Sequence, residues 1–235
     1  MQTINADFPS ILEYELPAFL ADKHSERNGT TEPYFTPQLT ARDAVYSMWI
    51  GGMFVQVSPD ILTLVGTNDL GVYAFITDSQ VPGKTLTGYI ECVYNVLDGL
   101  YASGARYFVL MNLAPLDLAP LYANATAGGV GQNPYWPEKP SNKTQISETM
   151  KEYTSTLNMV YKYQTGFDVM VANRYPGAQF ALYDVHSLIT DIYTNPTAYL
   201  NGSLPANVTG FDKHCNIDGT SCSQGDSPDS YLWFG

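Results

Sequence analysis

Basic residues are scarce in this chain. Eleven Lys and Arg stand against 23 Asp and Glu in 235 residues, a formal net charge of −12 at pH 7. Such an excess repels phosphate backbones, so nucleic acid is not an expected partner. Charged residues of both signs reach only 14%, against about 25% in an ordinary soluble domain. No stretch approaches the ~20 uncharged apolar residues of a membrane span, so no membrane partner is expected. There are three Cys and three His, with no CxxC and no Cys/His cluster. Neither a metal nor another cofactor is expected from that set. Met1 to Asp7 offers no positive n-region and no apolar h-region, so no signal peptide is read at the start. What is plentiful is apolar side chain, at 45%, which excludes wholesale disorder. At roughly 150 residues per domain, the expectation is one domain over 1–235.

Five N-x-[ST] sequons begin at Asn28, Asn124, Asn142, Asn201 and Asn207. Their number and turn-like settings point to a secreted glycoprotein. Cys215 and Cys222, in a Gly/Asp/Ser-rich loop, are plausible partners for a short disulfide in an oxidising compartment. Cys92 lies in an apolar helical pattern and reads as a buried free thiol.

Periodicity gives the organisation. Phe8 to Ala21 is apolar at helical spacing, with Pro17 predicting a kink or a short helix. Ala44–Ile50 and Ile61–Val65 read as buried strands, Thr87–Ala102 as a helix, and Tyr107–Leu113 as a strong buried strand. A Gly/Pro/Asn loop covers 123–145, and a helix from Ser147, its N-cap, runs to about Arg174. The strand Gln179–Val185 and a helix from Ser187 to about Tyr193 follow. Doubly apolar strands alternating with helices predict an α/β fold, a three-layer α/β/α sandwich on a parallel sheet. Ligands of such sheets sit beyond the carboxyl ends of the strands.

One strand end carries a motif. Gly66-Thr67-Asn68-Asp69-Leu70-Gly71 follows an apolar strand. Glycine admits close backbone approach, and an Asn amide there can donate to an oxyanion. Ala44 to Gly51, followed by Thr67 to Gly71, resembles block III of the GDSL/SGNH hydrolases. Ala105 to Leu116 is similar to that superfamily's next strand and its Asn-Leu-Pro-Pro-Leu ending, and Ser227 to Phe234 resembles the segment before its catalytic Asp-x-x-His. The order of these segments, from about residue 8 to 234, resembles fungal secreted acetylesterases of carbohydrate esterase family sixteen. The resemblance implies a flavodoxin-like sheet and Ser-His-Asp ester hydrolysis without a cofactor. It assigns Asn68 to the oxyanion hole, with Gly66 and Asp69 supporting the motif.

The remaining parts of that machinery are not matched. No strand ending in Gly-Asp-Ser precedes residue 44, so the N-terminal central strand and its nucleophile are expected to be missing. The sole Gly-Asp-Ser, Gly225-Asp226-Ser227, follows no strand and reads as a decoy. His24, His186 and His214 have Ala21, Tyr183 and Phe211 three residues before them, so none completes an Asp-x-x-His. Asp184 and Asp212 lie two residues before a His, the wrong spacing. Removing Gly52 to Gly66 would leave an uninterrupted Met-Trp-Ile-Gly-Thr-Asn-Asp-Leu-Gly. Codons for that stretch permit splice signals in frame, so 52–66 reads as a candidate retained intron. Residues 59–69 also resemble bacterial block III, which keeps a genuine strand open. The resemblance implies an acetylesterase acting on small esters or acetylated plant cell-wall oligosaccharides, expected as a monomer, with the 235 residues inactive and truncated at both ends. A non-catalytic glycan-binding protein on the same fold and a lipase for longer acyl chains are the alternatives.

Overall fold

The computed structural model describes residues 11–27, 29–35, 44–49, 62–64, 67–225 and 227–233. Helix α1 (Glu15–His24) comes first. Pro17 stands in its first turn, where an amide has no intrahelical acceptor and proline is tolerated. The expected Phe8–Ala21 helix is therefore shifted toward the C-terminus, and Pro17 helps start it rather than kink it. Residues 8–10 of that expectation lie outside the described residues.

Strands β1 (Val45–Trp49), β2 (Leu62–Leu64), β3 (Tyr107–Met111) and β4 (Gln179–Tyr183) form one sheet in the order β2-β1-β3-β4. Every pairing in it is parallel. With the intervening helices, this is the α/β class expected from the sequence. Leu62, Thr63 and Leu64 of the candidate insertion pair with Ser47, Met48 and Trp49; the rest of 52–66, Gly66 included, lies outside the described residues.

Helix α2 (Thr67–Leu70) follows β2. Helix α3 (Leu86–Ala102) starts at Thr85, whose hydroxyl accepts from the Gly88 amide. Helix α4 (Lys143–Met170) starts four residues before the expected Ser147. Asn142 caps it by accepting from the Gln145 amide, and Ser147 is buried inside the helix. Asn outranks or equals Ser as a cap, and Ser147 is drawn in by the packing of Ile146 and Met150. The loop before α4 folds onto two lysines. Lys139 Nζ donates to the carbonyls of Leu121 at 2.6 Å and Val130 at 2.7 Å, and Lys143 Nζ donates to that of Gly129 at 2.6 Å.

Alternation along the strands separates two faces. Phe108 and Leu110 of β3 share a face with Tyr46 and Met48 of β1 and with Phe180 of β4. Phe108 and Leu110 are 2% and 0% exposed, and they join Tyr89, Val93 and Leu97 of α3 and Leu157 and Tyr161 of α4 in one apolar core. Helix α1 closes the margin, with Phe19 edge-on to Tyr46 and Leu16 over Gly99. On the other face, Val45 is 66% and Tyr183 48% exposed; no described helix seals it.

Arg174, in the turn after α4, joins two helices. It bonds both carboxylate oxygens of Asp98 in α3, at 3.1 and 2.6 Å, and Asp168 in α4 at 3.0 Å. Helix α5 (Val185–Thr194) follows β4, and Asp184 caps it by accepting from the Ser187 amide. The chain ends in short strands: β5 (Asn207–Phe211) pairs with β8 (Tyr231–Trp233), and β6 (Lys213–Cys215) with β7 (Cys222–Gln224). Cys215 and Cys222 are bonded across the β6–β7 hairpin. Cys92 is free but only half-buried, which corrects the expectation of a buried thiol; it sits beside the helix seam rather than in it.

Candidate functional site

The strand order reverses between β1 and β3, since β2 lies on one side of β1 while β3 and β4 run off on the other. Connections on the two sides of such a point diverge and leave a crevice at the carboxyl ends of the strands. Three segments of the described chain arrive at that edge: α2 after β2, Asn112 to Pro115 after β3, and Asp184 to His186 after β4.

Helix α2 holds the motif. Leu70 is fully buried and fixes this single turn against the core. Asp69 is half-buried beside Tyr89 and Cys92 of α3 and Tyr161 of α4. Burial chiefly, then the neighbouring phenol and the Asp69 charge, push the Tyr89 hydroxyl far above its ordinary pKa. Cys92 is pushed up first by burial and next by Asp69. The charge of Asp69 is thus felt by groups on both α3 and α4. Asn68 has its backbone in α2 at the end of β2, and its side chain lies outside the described residues.

The ends of β3 and β4 are tied by side-chain amides. Asn112 Nδ2 donates to Asp184 Oδ1 at 2.8 Å, while Asn112 Oδ1 accepts from the His186 amide at 3.0 Å. Ser187 Oγ donates to the other Asp184 oxygen at 2.7 Å. Asn158 of α4 grips the next residue of β3, accepting from the Leu113 amide at 2.8 Å and donating to its carbonyl at 3.0 Å. These amides satisfy backbone groups where the ladder stops, which fixes the rim of the crevice. Burial raises the Asp184 pKa, but the hydrogen bonds from Ser187 and Asn112 and the charge of His186 outweigh it and hold the carboxyl below the usual range. Asp117, in the 3-10 turn Leu116–Leu118, goes the other way: burial dominates and raises it, against partial relief from its own backbone amide, Lys151 and His186. Sequence reasoning missed Asn112 and Asn158 as rim-holding residues. The signal available was an Asn closing an apolar strand, and a polar residue within an otherwise amphipathic helix.

The three histidines stand on different elements: His24 ends α1, His186 opens α5 at the rim, and His214 lies in β6 with its ring 4.3 Å from that of Phe211. Ser227 is engaged in a turn. Its hydroxyl accepts from the Ser203 amide at 3.0 Å and lies 2.9 Å from Ser230 Oγ. Asp226 and Asn28 lie outside the described residues. Among the described residues no group of three His, Cys, Asp or Glu could hold a metal ion. No described helix is long and apolar enough to cross a membrane.

This strand-end geometry is compatible with many α/β chemistries, and comparison with known proteins narrows the choice. The chain is similar to an acetylesterase. It is 39% identical over 233 residues to the protein named Acetylesterase from Hypocrea jecorina. That alignment covers 98% of this chain and 60% of the relative, so the chain spans less than two thirds of that protein's length. No protein-family model matches the chain.

Proposed function

We propose that this chain belongs to an ester hydrolase of the GDSL/SGNH type, close to the acetylesterases of carbohydrate esterase family sixteen. Its substrates are small acyl esters, acetylated plant cell-wall oligosaccharides in particular. The observation that carries this reading is the 39% identity to a named acetylesterase across 233 residues, which runs through the strand-end motif at Asn68. In the proposed reaction a serine oxygen adds to the acyl carbon while a histidine takes its proton. The Asn68 amide donates to the oxyanion. The alcohol then leaves with the histidine's proton, and water cleaves the acyl-serine to release the carboxylic acid.

Asn68 stands for the oxyanion hole in this reading, with Gly66 and Asp69 supporting it. The 235 residues supply no serine and histidine in matching positions, so they form part of a single, longer hydrolase domain. The gene product is proposed as a secreted monomer; residues 52–66 are a candidate retained intron, whose removal would put Gly51 in the place of Gly66 before Thr67, while a genuine strand there keeps Gly66 in the motif. The test is hydrolysis of 4-nitrophenyl acetate by the 235-residue chain and by the product of the full-length transcript. Turnover is expected in the latter and is lowered ~10²–10³-fold there by Asn68→Ala; the 235-residue chain stays near background. Equal turnover by both, or an inert full-length product, rejects the reading. Transcript reads that cover 52–66 as evenly as their flanks reject the intron.

A further inference from the structure

Three described residues other than glycine have a left-handed backbone: Tyr73 at φ 67°, Asp78 at 52° and Asn173 at 50°. Short polar side chains visit that region at little cost, but a bulky aromatic residue there is strained. No contact of the Tyr73 side chain explains the strain. The residue is 71% exposed, and among the described residues it makes no hydrogen bond and no ring contact.

Its neighbours hold it there. Leu70 is fully buried, and Val72, Phe75 and Ile76 pack against the core. The Ala74 amide donates to the Gly71 carbonyl at 3.2 Å, and the Ala74 carbonyl accepts from the Thr77 and Ser79 amides at 3.2 and 3.0 Å. A loop tied at so many points over-determines the conformation of the one large side chain it leaves outside.

The loop stands above the carboxyl edge of the sheet. It follows α2, and Tyr73 comes five residues after Asn68. On one side the Val72 backbone lies beside the hydroxyl of Tyr122, from the segment that follows β3. On the other the Phe75 ring meets that of Tyr153 edge-on, with 6.5 Å between centroids. Helix α4 runs back from the carboxyl edge, because β3 and β4 are parallel. Asn158 grips Leu113 where β3 ends. Tyr153 is five residues nearer the start of α4, about 7 Å further out along the axis. Tyr73 is thus presented at the same edge as Asn68 and the Asn112–Asp184 rim.

We propose that Tyr73 is a specificity-determining residue: its ring stacks on the apolar face of the sugar that carries the acyl group, and so holds the alcohol half of the ester at the crevice. An uncharged pyranose is the fit. The net charge of −12 disfavours anionic sugars, and an exposed phenol offers an apolar body with a polar tip. The inference rests on the hydrolase reading above and names a residue that selects its substrate.

The test uses the product of the full-length transcript and its Tyr73→Phe, Tyr73→Asn and Tyr73→Gly variants. kcat/KM is measured on an acetylated xylo-oligosaccharide and on ethyl acetate, which has no ring. The ratio of the two values is expected to fall about 3–10-fold in Tyr73→Asn and Tyr73→Gly, through the KM of the oligosaccharide, and to hold in Tyr73→Phe. Denaturation midpoints of the Asn and Gly variants are expected at or above that of the parent, since both residues suit the left-handed backbone. An unchanged ratio overturns the proposal, and so do midpoints lowered in both variants, which would make the ring a structural element. A product inert on both esters rejects the hydrolase reading instead, and calorimetry with the same oligosaccharide then decides for Tyr73. Weaker binding by Tyr73→Asn than by the parent upholds the stacking role; equal or absent binding overturns it.

Discussion

The two faces of the central sheet are built from the same strands and have opposite fates. One residue apart on β3, Phe108 is 2% exposed in a core of α3 and α4 side chains, while Tyr107 and Val109 look out on a face that leaves Val45 66% exposed. Strand sequence alone does not produce that difference, because both faces are apolar. Helices α1, α3 and α4 produce it, by placing Leu16, Tyr89, Val93, Leu157 and Tyr161 on one side only. Burial, and with it stability, is therefore concentrated on one face. The rim of polar amides stands at the edge where the two faces meet.

Substitutions should break that asymmetry in graded fashion. Phe108→Ala removes a ring stacked 4.6 Å from Phe180 and leaves a cavity in the covered face. It should cost about 3–5 kcal/mol in denaturant unfolding. Arg174→Met removes the link between α3 and α4 and leaves Asp168 buried without its cation. Since the Arg174 side chain is 31% exposed, the expected loss is about 1–3 kcal/mol, seen as a lower denaturation midpoint at unchanged slope. Asn112→Ala strips Asp184 and the His186 amide of a partner at the rim and should cost about 1–2 kcal/mol. Val45→Thr on the open face should stay within about 0.5 kcal/mol. A loss as large as that of Phe108→Ala would show that this face is also sealed in solution.

The rim has a pH signature of its own. The pKa of Asp184 is depressed in the folded state. Its contribution is fully present above the ordinary carboxylate pKa and is lost as pH falls through the folded value. Thermal midpoints followed from pH 6 to pH 3 should fall less steeply in Asp184→Asn than in the parent. Parallel curves would show that the rim bonds do not depend on the charge.

Much of the frame was legible. The apolar run Tyr107 to Leu113 gave β3, and the periodicity of α3 gave its span to within one residue. Errors fell at boundaries. Pro17 and Asn142 each moved a helix start, because a first-turn proline and a capping amide are judged by neighbours that only packing supplies. The site was half legible. Asn68 and Asp69 stood out as a strand-end motif, and the parallel sheet pointed to its carboxyl edge. Asn112 and Asn158 did not, since their partners, Asp184 and Leu113, lie 72 and 45 residues away.

By itself the sequence determined the class of the protein: acidic, poor in lysine, with no run suited to a membrane, and alternating strands with helices. Those properties are local or additive, and composition and periodicity carry them. Only the tertiary structure decided which sheet face is covered and which ends of the strands converge. These follow from contacts between distant residues, and no short stretch of sequence contains them.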